Sequence, residues 1–178
     1  MKILIGTPIH QIKDYCMEKW LENVSKLEYS ADLMMVDNSP DLTYLDKVRG
    51  YCDKFNIKNY VLEHIEVSQE NGVDERVNRA REVIRKYFLS KDYDAWFTWE
   101  CDQLIPLDAL DKLIELMNAG NFMMVNHNSW ARERPFDTNT DFGCSLIKRE
   151  CLEKYSFLLE YGKVNDSNAP DCWHGGES

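Results

Sequence analysis

Hydrophobic residues fall along this chain in short unbroken runs that alternate with stretches of helical periodicity. Ile3-Leu4-Ile5 is an apolar run halted by Gly6-Thr7-Pro8, which predicts a buried strand closing in a turn. Residues 12–28 place Cys16, Trp20, Val24 and Leu27 at helical spacing. Leu33-Met34-Met35-Val36 is a second buried run, broken by the turn formers Asp37-Asn38-Ser39-Pro40. A helix through Leu45, Val48, Cys52 and Phe55 precedes a strand near Tyr60-Val61-Leu62. Residues 75–89 are strongly periodic, with Val77, Ala80, Ile84, Tyr87 and Phe88 as the core stripe. Ala95-Trp96-Phe97-Thr98-Trp99 begins a strand that is read as running on through Glu100-Cys101-Asp102. Residues 107–117 predict a helix capped by Asp108 and stopped by Gly120. A strand at 122–125, a long polar loop at 127–140, a strand at 142–147 and a short helix at 149–156 follow, and 157–178 reads as irregular.

Strand and helix signals alternate four times, and the strands are continuously apolar. Strands of that kind are buried on both faces, so the expected fold class is α/β, a mostly parallel central sheet with helices on both faces. The 178 residues suit one domain, 1–178, and no repeat, low-complexity tract or linker divides them. The cysteines Cys16, Cys52, Cys101, Cys144, Cys151 and Cys172 include no C-x-x-C pair. Neither a zinc clasp nor a thioredoxin-type motif is offered, and reduced core positions are expected.

Charge narrows the choice of ligand. Lys and Arg number 21 against 31 Asp and Glu, a formal net charge of −10. Nucleic-acid backbones are held by clustered cations, so this balance speaks against a nucleic-acid binder. A phosphorylated small molecule is compatible with it, provided that a divalent cation stands between the two sets of negative charge. No stretch approaches the ~20 apolar residues of a membrane span, and the first apolar run is too short for a signal peptide. A soluble, cytoplasmic protein without a transmembrane segment is the expectation.

In open α/β sheets ligands sit beyond the carboxyl ends of the strands. Those ends are Gly6-Thr7-Pro8-Ile9-His10, Asp37-Asn38-Ser39 and Glu100-Cys101-Asp102. No G-x-G-x-x-G follows the first strand and no G-x-x-x-x-G-K-[ST] occurs, which sets aside dehydrogenases and P-loop enzymes. Residues two apart on a strand face the same way, so Glu100 and Asp102 are read as emerging together. Paired carboxylates are hard oxygen ligands for Mg²⁺ or Mn²⁺, with substrate phosphates completing the shell. Read blandly, they are solvated loop acids or serve the next helix. Arg76 and Arg81 flank the buried stripe of the 75–89 helix, where they can reach a nucleotide or its phosphates; Glu75 and Glu82 offer them salt bridges instead. Asp37 suits either a ligand contact or an Asx turn. His174 is a metal ligand by residue type or an incidental tail residue. Trp130 suits a sugar-stacking role or a loop anchor.

Taken in order, these residues resemble the GT-A glycosyltransferases, in particular the broad family-2-like group. Ile3-Leu4-Ile5-Gly6-Thr7-Pro8 looks like that family's first strand and nucleotide-contacting turn, and Val36-Asp37-Asn38-Ser39 looks like its second strand with the base-contacting acid. Asn78-Arg79-Ala80-Arg81-Glu82 resembles its Ala-Arg-Asn helix, with Glu82 where Asn is usual. Residues 94–102, followed by Pro106 and Leu110, look like its strand, D-x-D-type motif and next helix, with Glu100 in the first acidic position. Phe142-Gly143-Cys144-Ser145-Leu146-Ile147-Lys148-Arg149-Glu150 resembles the acceptor-side strand.

The resemblance implies a Rossmann-like GT-A domain, with a nucleotide-sugar-binding half at 1–106 and a short acceptor-side half at 107–178. It implies a metal-dependent glycosyltransferase of the hexosyltransferase class. Thr7, Pro8, Asp37, Arg76, Arg81, Glu100 and Asp102 would contact a UDP- or GDP-sugar donor, and Asp102, Glu100 and His174 would hold Mn²⁺ or Mg²⁺. Asp171 is the expected general base toward an acceptor hydroxyl, such as one on a protein or lipid-linked glycan, with Asp166, Asp141 and Glu177 as rivals. Two other readings stand beside this one. One is a non-catalytic nucleotide- or glycan-binding module on the same scaffold. The other is a nucleotidyltransferase, for which a Gly-rich basic loop after the first strand is missing.

Overall fold

The computed structural model describes residues 1–126 and 143–158. Their strands are β1 (Ile3–Ile9), β2 (Asp32–Asp37), β3 (Tyr60–His64), β4 (Ala95–Trp99), β5 (Met124–Asn126) and β6 (Cys144–Lys148). They form one sheet in the order β3-β2-β1-β4-β6-β5. β1 pairs in parallel with β2 and β4, and β2 with β3, while β6 runs antiparallel to both β4 and β5. The helices are α1 (Asp14–Ser25), α2 (Thr43–Lys54), α3 (Val73–Leu89), α4 (Ala109–Ala119) and α5 (Arg149–Lys154), with a 3₁₀ turn at Gln11–Lys13 ahead of α1. The expected α/β class, mostly parallel and covered on both faces, is the one observed.

Successive side chains of a strand point to opposite faces, so each strand feeds two cores. Ile3, Ile5 and Ile9 of β1 join Phe97 and Trp99 of β4 in a cluster with Trp20 of α1, Val48 of α2 and Leu113 of α4. Leu4, Met34 and Trp96 join Ala80, Ile84 and Phe88 of α3 and Leu152 of α5 on the other face. Burial on both sides is why the strands read as unbroken apolar runs. The chain moves outward from β1 to β3 through α1 and α2 on one face. Its return from β3 to β4 reverses direction, and a right-handed crossover then puts α3 on the opposite face.

Gly6 lets α3 come close to the sheet. A Cβ at Gly6 would stand 2.5 Å from Ile84 Cγ2 and 2.5 Å from Trp96 Nε1, and the Trp96 indole N–H donates to the Gly6 carbonyl at 3.0 Å. Glu82, two residues before Ile84, is 5% exposed. Its carboxylate accepts from Arg85 Nη1 at 3.0 Å, Ser156 Oγ at 3.0 Å and the Phe157 N–H at 3.1 Å. Arg85 in turn donates to the Leu152 carbonyl. A buried charge so paired and hydrogen-bonded is tolerated, and it fastens α5 and residues 156–157 to α3. That is the physical reason for an acid at 82: it is a clamp within the fold.

Several boundaries differ from the periodicity. The helix expected over 12–28 is preceded by the 3₁₀ turn, because the His10 carbonyl accepts from the Lys13 N–H at 2.8 Å and the His10 ring accepts from the Ile12 N–H at 3.1 Å. Asp108 stands at the cap position of α4, but its carboxylate binds Lys112 Nζ at 2.7 Å instead of a backbone N–H. α2 ends where Asn56 takes φ 56°, with the Ile57 N–H on the Cys52 carbonyl at 2.9 Å, a left-handed stop that apolar periodicity does not signal. The loop expected at 127–140 and nearly all of 157–178 lie outside the described residues. Cys52, Cys101 and Cys151 are buried free thiols. Burial pushes Cys52 up to about 12 and Cys151 up to about 11. Among the described residues no helix is long and apolar enough to cross a membrane.

Gly6→Ala is expected to lower stability by about 1–3 kcal/mol through overpacking. Gly50→Ala is the control: it lies in α2 with nothing within 4 Å of a built Cβ, and should gain about 1 kcal/mol from helix propensity. Urea midpoints at unchanged slope check both.

Candidate active site

β1 and β4 are neighbours, but the chain leaves β1 toward β2 and leaves β4 toward the other edge of the sheet. The diverging connections open a crevice at the carboxyl ends, the position where open α/β sheets take ligands. A cavity of about 320 Å³ lies there, with Pro8, Lys13, Arg76, Arg81, Glu100 and Asp102 in its wall. Ile9, Val73 and Val77 give it an apolar side and Asn38 a polar one.

The two acids reach this cavity by a route that strand alternation does not describe. β4 ends at Trp99. Beyond it the Glu100 carbonyl accepts from the Gln103 N–H at 3.1 Å, and the Trp99 indole donates to the Gln103 carbonyl at 3.0 Å. The strand expected through 100–102 is thus a turn, and the carboxylates do not emerge stacked on one face. Glu100 lies against α3, its Oε1 3.5 Å from Arg81 Nη2. Asp102 faces the 3₁₀ turn and accepts from Lys13 Nζ. Cys101 between them is 5% exposed and points into the core, and burial raises its thiol pKa. Burial works to lower the Lys13 pKa, but the hydrogen bond and charge of Asp102 outweigh it and the net direction is upward.

Cations surround the same space. Arg76 Nη1 donates to Gln69 Oε1, and Arg76 Nε is buried with no hydrogen-bond partner among the described residues. A buried guanidinium N–H without an acceptor, beside a cavity, is a donor awaiting one. Gln69 is held by its own donations to the carbonyls of Asn38 at 2.9 Å and Val67 at 3.1 Å. Its Oε1 also lies 3.1 Å from His10 Nε2. Because His10 Nδ1 accepts from the Ile12 N–H, Nε2 carries the proton and donates to Gln69.

Asp37 has another place. Its side chain is 0% exposed. Its Oδ1 accepts from the Ser39 N–H at 3.1 Å and Ser39 Oγ at 2.6 Å, and His64 Nδ1 stands 2.8 Å from Oδ2. Ser39 Oγ accepts in turn from the Gln11 N–H at 2.8 Å. This hub joins the ends of β1, β2 and β3, so the Asx-turn reading of Asp37 describes what its carboxylate does here. Thr7, 1% exposed, is likewise buried.

Of the residues singled out from the sequence, Pro8, Arg76, Arg81, Glu100 and Asp102 meet around one cavity, while Thr7 and Asp37 are buried and do not line it. Asp171, His174, Trp130, Asp141, Asp166 and Glu177 are outside the described residues. Lys13, Gln69 and His64 carry no motif. Lys13 could have been flagged as the first cation after a strand end; His64 is found only through its register opposite Asp37.

Two carboxylates and three cationic side chains in one wall suit a divalent ion together with a diphosphate. Mg²⁺-type ions take one or two protein carboxylates and complete their shell with phosphate oxygens and water. Among the described residues no group of three or more His, Cys, Asp and Glu stands together to hold an ion. Glu100 and Asp102 are the carboxylates that this wall offers to such an ion.

No protein-family model matches the sequence, and no curated protein matches it. Solved structures do. A mannosyltransferase from Pyrobaculum calidifontis in complex with GDP-Man and Mn²⁺ aligns over 86% of this chain and 46% of its own, at 14% identity and a TM-score of 0.66. TarS 1-349 of S. aureus in complex with UDP aligns over 70% of this chain and 34% of its own, at 17% identity and 0.51. A 4-diphosphocytidyl-2C-methyl-D-erythritol synthase aligns over 72% and 62%, at 17% identity and 0.51. This chain spans less than two thirds of each of those chains. The fold they share with it is that of the GT-A glycosyltransferases.

Removing the buried hub should loosen the ends of β1, β2 and β3. Asp37→Ala, which takes the acceptor from Ser39 and His64, is expected to cost roughly 2–4 kcal/mol in a denaturant titration.

Proposed function

We propose that this chain is a glycosyltransferase that moves a sugar from a nucleotide-diphosphate donor, a UDP- or GDP-sugar, to an acceptor hydroxyl with the help of Mn²⁺ or Mg²⁺. The observation that carries this reading is the meeting of Glu100 and Asp102 with Lys13, Arg76 and Arg81 in the crevice between the β1 and β4 ends. GDP-Man with Mn²⁺ in the mannosyltransferase and UDP in TarS support a nucleotide donor on this fold.

Each group has a part. Arg76 offers an unsatisfied N–H to phosphate oxygens, and Arg81, 13% exposed, is held beside Glu100 on α3. Cations fixed in advance in a partly dry site stabilise developing negative charge without reorganising. Glu100 and Asp102 would hold the divalent ion, which supplies Lewis-acid stabilisation of the departing diphosphate. Val73 and Val77 give the nucleoside an apolar wall. Asp171 is assigned as the general base that takes the acceptor's proton if the reaction inverts the anomeric carbon, and His174 as a third metal ligand; both assignments rest on the family resemblance.

Calorimetry with Mn²⁺ and either UDP or GDP tests the site. Asp102→Asn is expected to weaken nucleotide binding at least ~tenfold, about 1.4 kcal/mol; wild-type affinity in that variant would remove the metal role. Incubation with UDP- and GDP-sugars should give slow metal-dependent hydrolysis. Tight binding without hydrolysis would identify a binding module, and pyrophosphate release from a nucleoside triphosphate plus a sugar phosphate would identify a nucleotidyltransferase. Asp171→Asn should lower kcat by roughly 100-fold or more at unchanged donor affinity, and full turnover would move the base to another acid.

A further inference from the structure

We infer that Lys13 is a built-in competitor for the divalent ion: its ammonium holds Oδ2 of the Asp102 carboxylate that the ion would take, so the ion binds more tightly when Lys13 lets go. The inference rests on the metal-diphosphate reading of the crevice and adds a residue that tunes it.

Three observations carry it. The Lys13 ammonium donates to Asp102 Oδ2, and no other cation contacts Asp102 among the described residues. The pair lines the cavity wall, with side chains 42% and 24% exposed, so it is neither buried in the fold nor remote from the site. The Lys13 backbone is fixed independently of its side chain. Its N–H donates to the His10 carbonyl at 2.8 Å, and its carbonyl accepts from Cys16 Sγ at 2.9 Å. The long stem can therefore swing without disturbing the 3₁₀ turn or α1.

The other cations are tied down more firmly. Arg81 is 13% exposed beside Glu100, and Arg76 is bound to the Gln69 amide, which is itself anchored to two carbonyls. An exposed ion pair contributes only about 0–1 kcal/mol to folding, so the Lys13–Asp102 contact is poorly explained as a stabiliser. Its effect falls on binding. A ligand whose competent state is populated to a fraction f binds with its intrinsic Kd divided by f. If the ammonium covers Asp102 about four times out of five, the ion alone binds about fivefold more weakly than the carboxylates allow. A diphosphate in the same cavity offers the displaced ammonium a new anion. Ion and nucleotide then favour each other's binding by the same factor, and the ion is retained chiefly when donor is present.

The test uses the full chain and Mn²⁺ alone at low ionic strength, with free Mn²⁺ counted by its paramagnetic resonance signal. Lys13→Met and Lys13→Gln keep the stem and remove the charge. Both are expected to melt within about 3 °C of wild type without metal and to bind Mn²⁺ about fivefold more tightly. Asp102→Asn in the Lys13→Met background is expected to abolish that gain. If neither Lys13 variant binds Mn²⁺ more tightly than wild type, the inference is overturned, and the nucleotide calorimetry of Asp102→Asn still judges the metal reading by itself. If the gain survives Asp102→Asn, the ion does not sit on that acid, and the inference falls together with the metal reading.

Discussion

The crevice exists because β4 is laid beside β1 on the side away from β2. That reversal separates the loop after β1 from the loop after β4 and leaves room between them that neither connection fills. It also obliges α3 to cross on the far face of the sheet. Packing of α3 over β1 uses the space at Gly6, where a Cβ would meet Ile84 and Trp96. The close contact draws Arg76 and Arg81 to the carboxyl end of the sheet, opposite the turn that carries Glu100 and Asp102. A bulkier residue at position 6 would act on the site through the helix, without touching any ligand.

Charge in this protein is arranged in two different ways. Where an acid belongs to the fold it is buried and fully engaged: Asp37 by Ser39 and His64, Glu82 by Arg85, Ser156 and the Phe157 N–H. Burial of a carboxylate is tolerable only with that density of partners. Where an acid lines the crevice it is partly open to solvent, as Asp102 is with its single lysine among the described residues. Such a contact can be exchanged for a stronger one at little cost to the fold. The crevice is locally rich in cations in a chain whose formal net charge is −10.

The sequence by itself determined the layer architecture. Unbroken apolar runs in β1, β2 and β4 and the stripes on α1, α2 and α3 leave few alternatives to an α/β sheet covered on both faces. It also marked five residues that line the cavity: Pro8, Glu100 and Asp102 from strand ends, and Arg76 and Arg81 from the border of a buried helix stripe. Tertiary structure decided the rest. Alternation along β4 suggested two carboxylates stacked on one face, but the 100–103 turn, pinned by the Trp99 indole, sends Glu100 to α3 and Asp102 to the 3₁₀ turn. Asp37 could not be assigned from its neighbours, since its partner His64 lies 27 residues away and meets it only through the register of β2 and β3. Lys13 carries no local pattern at all; its contact with Asp102 spans 89 residues of sequence. Periodicity is a local property and reports which face a residue occupies. The partner it finds there depends on how distant segments are brought together, which only the folded sheet specifies.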